Sequence, residues 1–206
     1  MDIQFYGANC ITVSYKGARI VIDDNLSELG LKSITKTDDV ALMTDGTNNE
    51  VARLNFNSPG EYEVSDISIQ GMPSRSHLDE EGKKSATSYK LIAGDQSIII
   101  TGRIYPELSS EELESIGLID VMLVPVGGNG YSPDAIGALK LIKAVEPKIV
   151  IPTHYADKDI KYSVPQTSLA DALKELGMEP KETVAKLKLK PTELSDVTQL
   201  IVLEKS

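Results

Sequence analysis

The stretch DVMLVPVGGNGYSPDAIGALKLIKAVEPKIVIPTHY, Asp120 to Tyr155, decides how the rest of the chain is arranged. Ile119 to Val126 is an apolar run almost without alternation, as a strand buried on both faces requires. Gly127-Gly128-Asn129-Gly130 interrupts it. Ser132 then offers an N-cap oxygen, Pro133 suits the first helical turn, and Ile136, Leu139, Ile142 and Val145 recur along one helical stripe. Pro147 ends that helix, and Ile149 to Ile151 form a second buried strand. Strand, helix and strand in this order predict a right-handed crossover between parallel strands. The glycine loop and Thr153-His154-Tyr155 then leave the sheet at the same carboxyl edge, where open α/β sheets hold their ligands.

Working outward toward the N-terminus, Ile3 to Tyr6, Ile11 to Tyr15 and Ala18 to Ile22 read as short strands that end on Asp23-Asp24-Asn25. Val40 to Thr44 is a buried strand followed by the polar run Asp45-Gly46-Thr47-Asn48-Asn49-Glu50. A turn at Asn57 to Gly60 precedes strands from Glu61 and Ile67, and Gly94-Asp95 centres a hairpin of Thr87 to Ile92 and Ser97 to Thr101. Arg75 to Ser85, which holds His77, reads as a solvated loop. Toward the C-terminus, Ser109 to Glu112 is a capping box closed by Gly117, and Ser168 caps a helix carrying Leu169, Leu173 and Leu176. Lys186 to Lys190 suits an exposed strand, and Gln199 to Leu203 closes the sheet. Strands first, then helix and strand in alternation, imply an α/β protein of two sheets with helices outside, in one domain over residues 1–206.

A net charge of −10 and a pI near 4.7 repel a phosphate backbone, so no nucleic-acid partner is expected. The lone Cys10 excludes an internal disulfide and a cysteine-based zinc site. No apolar run approaches ~18 residues, so no membrane span is expected, and the opening strand pattern without a signal core points to the cytoplasm.

Four segments carry a family resemblance: IQFYGANCITVSYKGARIVIDD at the start, SPGEYEV at Ser58 to Val64, PVGGNGYSPDA at Pro125 to Ala135, and EPKIVIPTHY at Glu146 to Tyr155. Together they resemble the metallo-β-lactamase superfamily, and within it the small bacterial hydrolases that include ascorbate-6-phosphate lactonase-like proteins. The resemblance implies a four-layer αββα sandwich with a metal site at one edge between the sheets. It also implies a His-x-His-x-Asp-His motif after the strand matching Val40 to Thr44. Such ligands hold zinc while leaving positions open for a water that ionises near neutral pH.

This chain departs from that pattern. Asp45 to Glu50 contains no histidine, Gly7-Ala8-Asn9-Cys10 replaces a glycine–histidine, and Gly102-Arg103 stands where the family has glycine and a metal-bridging aspartate. Asp23 and His154 match retained positions, and His77 lies in a loop where this branch often carries a histidine. Two histidines are too few for the family's dinuclear zinc centre, so no cofactor is expected. Two readings follow. The chain is a non-hydrolytic descendant whose cleft, beside Arg103, His77, Gly128 and Tyr155, binds a small molecule or a protein. Alternatively it is a hydrolase of a phosphoester or lactone, with zinc, manganese or magnesium held in an oxygen-rich site by candidates Asp23, Asp45, Glu50 and His154, of which Asp45 and His154 are also the catalytic candidates. A subunit role in a larger assembly, including a homo-oligomer, stays open. Arg103 is expected to enter the old metal space and pair with Asp23, Asp45 or Glu50, in which case its removal from a buried pair costs roughly 3–5 kcal/mol. The plain alternatives are that Asp45 and Glu50 serve the turn, that Asp23 binds backbone amides, and that His154 bonds its strand end.

Overall fold

Among the residues that the computed structural model describes, 1–190 and 194–206, strands build two sheets. The first contains β1 (Asp2–Gly7), β2 (Cys10–Tyr15), β3 (Ala18–Ile22), β4 (Val40–Leu42) and β5 (Leu54–Phe56), in that order, with β13 (Leu187–Lys188) paired on β1. The second contains β6 (Gly60–Val64), β7 (Ile67–Ser74), β8 (Ala86–Ala93), β9 (Gln96–Ile100), β10 (Val121–Pro125), β11 (Ile149–Thr153), β12 (Pro180–Val184) and β14 (Gln199–Leu203). Its order is β12-β14-β11-β10-β9-β8-β7-β6, parallel from β9 to β12 and antiparallel from β9 to β6. The turn at Asn57 to Pro59 carries the chain from the first sheet to the second.

The crossover inferred around Asp120 to Tyr155 is present. β10 and β11 are parallel neighbours, with Val121 opposite Ile149 and Pro125 opposite Thr153. The helix between them, α2 (Ala135–Val145), differs in two details. Asp134, not Ser132, is its N-cap, because the Asp134 side chain accepts from the Gly137 amide while Ser132 is turned inward and buried. Its buried face is Ala138, Leu141, Ile142 and Val145, whereas Ile136 is 58% exposed. The other two helices follow their sequence signals. Ser109 forms a reciprocal capping box on α1 (Ser110–Ile116), and Ser168 caps α3 (Leu169–Leu176) ahead of a left-handed Gly177.

The sheets face each other across a dry interface that includes Ile3, Ile11, Ile22, Leu42, Ile69, Leu91, Leu123 and Ile151. All three α-helices pack on the outer face of the eight-stranded sheet, over Ile99, Met122, Val124, Val150 and Leu200. The layer outside the six-stranded sheet is thinner, a single 3-10 turn at Leu26–Leu29 with Leu31 and Ile34 over Cys10 and Val21. The layers are those of the αββα sandwich, with one helical layer reduced to a turn. Two strands lacked a readable signal: β5 is three residues long, and β12 is a polar edge strand beyond β14, so Gln199 to Leu203 lies inside the sheet instead of closing it. The revised α2 face is testable by denaturant unfolding. Leu141→Ala should destabilise by about 2–5 kcal/mol, and Ile136→Ala should change stability by no more than about 0.5 kcal/mol.

Candidate functional site

Strand direction brings the sequence candidates together. β3 ends into Asp23, β4 into Thr44-Asp45, β9 into Gly102-Arg103, β10 into Gly127-Gly128 and β11 into His154. Non-glycine residues at this edge, Ala8, Asp23, Asn129 and His154, have left-handed backbones. Such conformations cost of order 1–3 kcal/mol each and persist where surrounding contacts over-determine them. The His154 amide donates to the Ala8 carbonyl (2.8 Å), tying the second sheet to the β1–β2 turn.

Asp23 is buried and fully engaged. One carboxyl oxygen accepts from the Thr44 amide (2.7 Å) and the other from the Thr44 hydroxyl (2.7 Å). Burial, then the Asp45 charge, raises its pKa from the usual carboxylate range to about 7, against the opposing Thr44 hydrogen bonds and Arg103. Thr44 is held from behind by Gly102, where a Cβ would sit 2.6 Å from the Thr44 Oγ1. The residue beyond Gly102 is Arg103, and its Nη2 lies 3.1 Å from the Asp45 Oδ2. Asp45 also accepts from the Thr47 amide and hydroxyl through its other oxygen, so it orders its own turn while pairing with the arginine. Beside this pair is a cavity of ≈ 50 Å³ lined by Thr44, Asp45, Ser76, Ser85, Ala86 and Arg103, large enough for water or a small polar group.

His154 is buried and its Nδ1 meets no hydrogen-bond partner. Burial, then the nearby Arg103 charge, lowers its pKa to about 4, so the imidazole is neutral at pH 7. Its ring stands edge-on to Tyr162 at 5.0 Å between centroids. His77 also has a buried, unpartnered Nδ1, and its pKa is lowered chiefly by burial.

The remaining candidates separate. Glu50 is exposed on its loop. Tyr155 turns into the body of the protein, 5.7 Å from Phe5 and packed on both apolar clusters, instead of lining the cleft. Gly128 spends its amide on the Pro133 carbonyl (3.2 Å), which serves a tight connection. At Gly127 any Cβ would overlap the His154 carbonyl and the Gln166 amide oxygen. The loop Arg75 to Ser85 is built, not merely solvated. Buried Asp79 accepts from the amides of Ser76 and Ser85 and from the Ser85 hydroxyl, while Arg75 caps the Asp79 carbonyl and lies 3.8 Å over the Tyr105 ring. Although burial opposes it, these bonds and Lys83 hold the Asp79 pKa down to about 2. In the sequence Asp79 belongs to the acidic run Asp79-Glu80-Glu81 of a loop read as solvated, and Gln166 carries no signal. The Ser-x-x-Asp spacing of Ser76 and Asp79 was the one local sign.

The fold family's dinuclear zinc does not fit this donor set. Among the described residues no three histidine, cysteine or carboxylate groups are disposed to share an ion, and a guanidinium has entered the carboxylate cluster.

With this architecture in view, the sequence profile of a beta-lactamase superfamily domain matches residues 2–154, and the chain belongs to that family. It is 25% identical over 183 residues to a UPF0173 protein of Pyrococcus abyssi, covering 75% of this chain and 83% of that one. UPF0173 metal-dependent hydrolases of Thermoplasma acidophilum and Carboxydothermus hydrogenoformans are 37% and 36% identical over 59 and 67 residues, but those matches cover only 26% and 29% of the two proteins. The fold is shared with a structure of the metallo-β-lactamase superfamily from Thermotoga maritima, at TM-score 0.78, 24% identity and 98% coverage of both chains. It is shared also with the metallo hydrolase Igni18 from Ignicoccus hospitalis, at TM-score 0.62, 16% identity and 92% and 99% coverage.

Three outcomes are expected from substitutions here. With side chains 34% and 24% exposed, the Arg103–Asp45 pair is screened by solvent, so Arg103→Ala should cost about 1 kcal/mol, less than a buried pair would. The same change removes a charge that disfavours imidazolium, so the His154 pKa should rise, as read by NMR titration. For Asp23, the raised folded pKa means that stability is complete below the unfolded value of about 3.9 and is lost as pH rises toward about 7. Asp23→Asn can still accept from the Thr44 amide and donate to its hydroxyl. Urea unfolding at a series of pH values should therefore show a flatter profile for Asp23→Asn between pH 4 and 7, and an unchanged slope would contradict the assignment.

Proposed function

We propose that this chain is a non-hydrolytic member of its family, in which the old metal cleft binds the polar head of a small ligand. The observation that carries this reading is the Arg103–Asp45 ion pair beside Thr44-locked Asp23. A dinuclear centre needs several neutral imidazoles and a bridging carboxylate around an open ligand position. Here the chain has two histidines, and the guanidinium pairs with Asp45, neutralising a carboxylate that a divalent ion would otherwise meet. The Ser76 hydroxyl and the remaining N–H groups of Arg103 supply donors around the ≈ 50 Å³ cavity, and the Asp45 carboxylate and the Thr44 and Ser85 hydroxyl oxygens supply acceptors. That inventory suits hydrogen-bonded recognition and contains no activated nucleophile. The related proteins named as metal-dependent hydrolases make hydrolysis the competing reading.

Elemental analysis of protein purified without chelator, together with assays on lactone, phosphodiester and β-lactam substrates with added zinc, manganese or magnesium, separates the two. The expected result is substoichiometric metal and no metal-stimulated turnover. Stoichiometric metal with turnover abolished by a chelator would establish the hydrolase instead.

A further inference from the structure

The three helices do not treat the eight-stranded sheet alike. α2 lays Ala138, Leu141, Ile142 and Val145 toward the apolar layer, and α3 buries Ala172 and Leu176. α1 buries Ile116 alone. Between it and the outer face of β6, β7 and β8 lies a cavity of ≈ 320 Å³, within the usual range of small-molecule sites. Its sheet side includes Gln70 and Met72, and its helix side Ser109, Glu112, Ser115 and Ile116. Leu108 and Ile116 with Met72 make one part apolar. The buried hydroxyls of Ser74 and Ser88 bond each other (3.0 Å), and Ser88 bonds the Thr101 carbonyl (3.0 Å), so the small side chains keep space open without needing a ligand for themselves.

The charge around the cavity has a sign. Glu61, Glu111 and Glu112 line it against one ammonium, Lys84, which is committed to Glu112 at 2.8 Å. Glu112 is already spoken for by Lys84 and by the Ser109 amide, which leaves the Glu61 and Glu111 carboxylates at the rim to meet an incoming charge.

From the volume, the apolar part and the acidic rim, we propose that this cavity is a second binding site, separate from the cleft, for a small organic amine with an apolar body. The body lies on Met72, Leu108 and Ile116, and the ammonium faces Glu61 and Glu111. The site does not depend on the reading of the cleft, since none of its lining residues belongs to that edge.

Phenethylamine is a suitable probe, with 3-phenylpropionate as its oppositely charged counterpart. Titration of the full chain, followed through the methyl resonances of Met72 and Ile116, should give saturable shifts with the amine and at least tenfold weaker binding of the carboxylate. Ser115 is exposed, so Ser115→Phe should fill the cavity without unfolding the protein and abolish the amine shifts. The exposed pair Glu61→Gln and Glu111→Gln should weaken the amine at least tenfold. Absence of saturable shifts at Met72 and Ile116, equal binding of amine and carboxylate, or unaltered binding in Ser115→Phe would each overturn the proposal. Arg103→Ala should leave amine binding unchanged, which separates this site from the cleft.

Discussion

The closure of two apolar sheet faces upon each other is the constraint on which the rest of this structure depends. Ile3, Ile20, Ile22 and Leu42 from one sheet and Ile69, Leu91, Ile98 and Ile151 from the other are fully removed from water. Each such side chain contributes about 1.5–3 kcal/mol relative to exposure. Polar groups along so apolar and buried a seam are cut off from solvent, so they must satisfy one another. Tyr89 illustrates this: it is wholly buried between the sheets, and its hydroxyl donates to the Phe56 carbonyl of the opposite sheet at 3.0 Å.

At the carboxyl edge the same demand produces the candidate site. Strands that run parallel deliver their following residues to one end, and those residues are polar, crowded and partly dehydrated. Asp23 takes both Thr44 donors, Gly102 gives Thr44 room, and Arg103 moderates the charge of Asp45. Desolvation acts in opposite directions on the two titratable groups there. It favours the neutral acid at Asp23 and the neutral base at His154, so both depart from their ordinary values toward the uncharged form.

The molecule therefore carries two concave regions of different electrical character. The cleft holds a permanent cation among hydroxyls, and the cavity under α1 is rimmed by carboxylates. Membership of the beta-lactamase superfamily accounts for the scaffold. It does not by itself account for the chemistry, which depends on the side chains at the strand ends. At that edge Arg103 sets a permanent positive charge beside Asp45.

Much of this was legible along the chain, for a definite reason. Period and punctuation are local properties: the unbroken run Ile119 to Val126, the glycine stops at Gly117 and Gly177, and the capping box at Ser109 each act through neighbours a few residues away. That the chain has only two histidines is equally plain, because composition cannot be altered by folding. Folding settled what depends on distant partners. Which carboxylate meets Arg103 is set by the meeting of β4 and β9 from different sheets, and whether Asp79 is solvated or buried depends on Ser85 closing its loop. Tyr155 was assigned to the cleft by adjacency, yet packing against Phe5 from the other sheet turned it inward. The strand ends could be named from residue patterns, but the third dimension was needed to choose their partners, because charge pairing and desolvation arise between segments that the sequence keeps far apart.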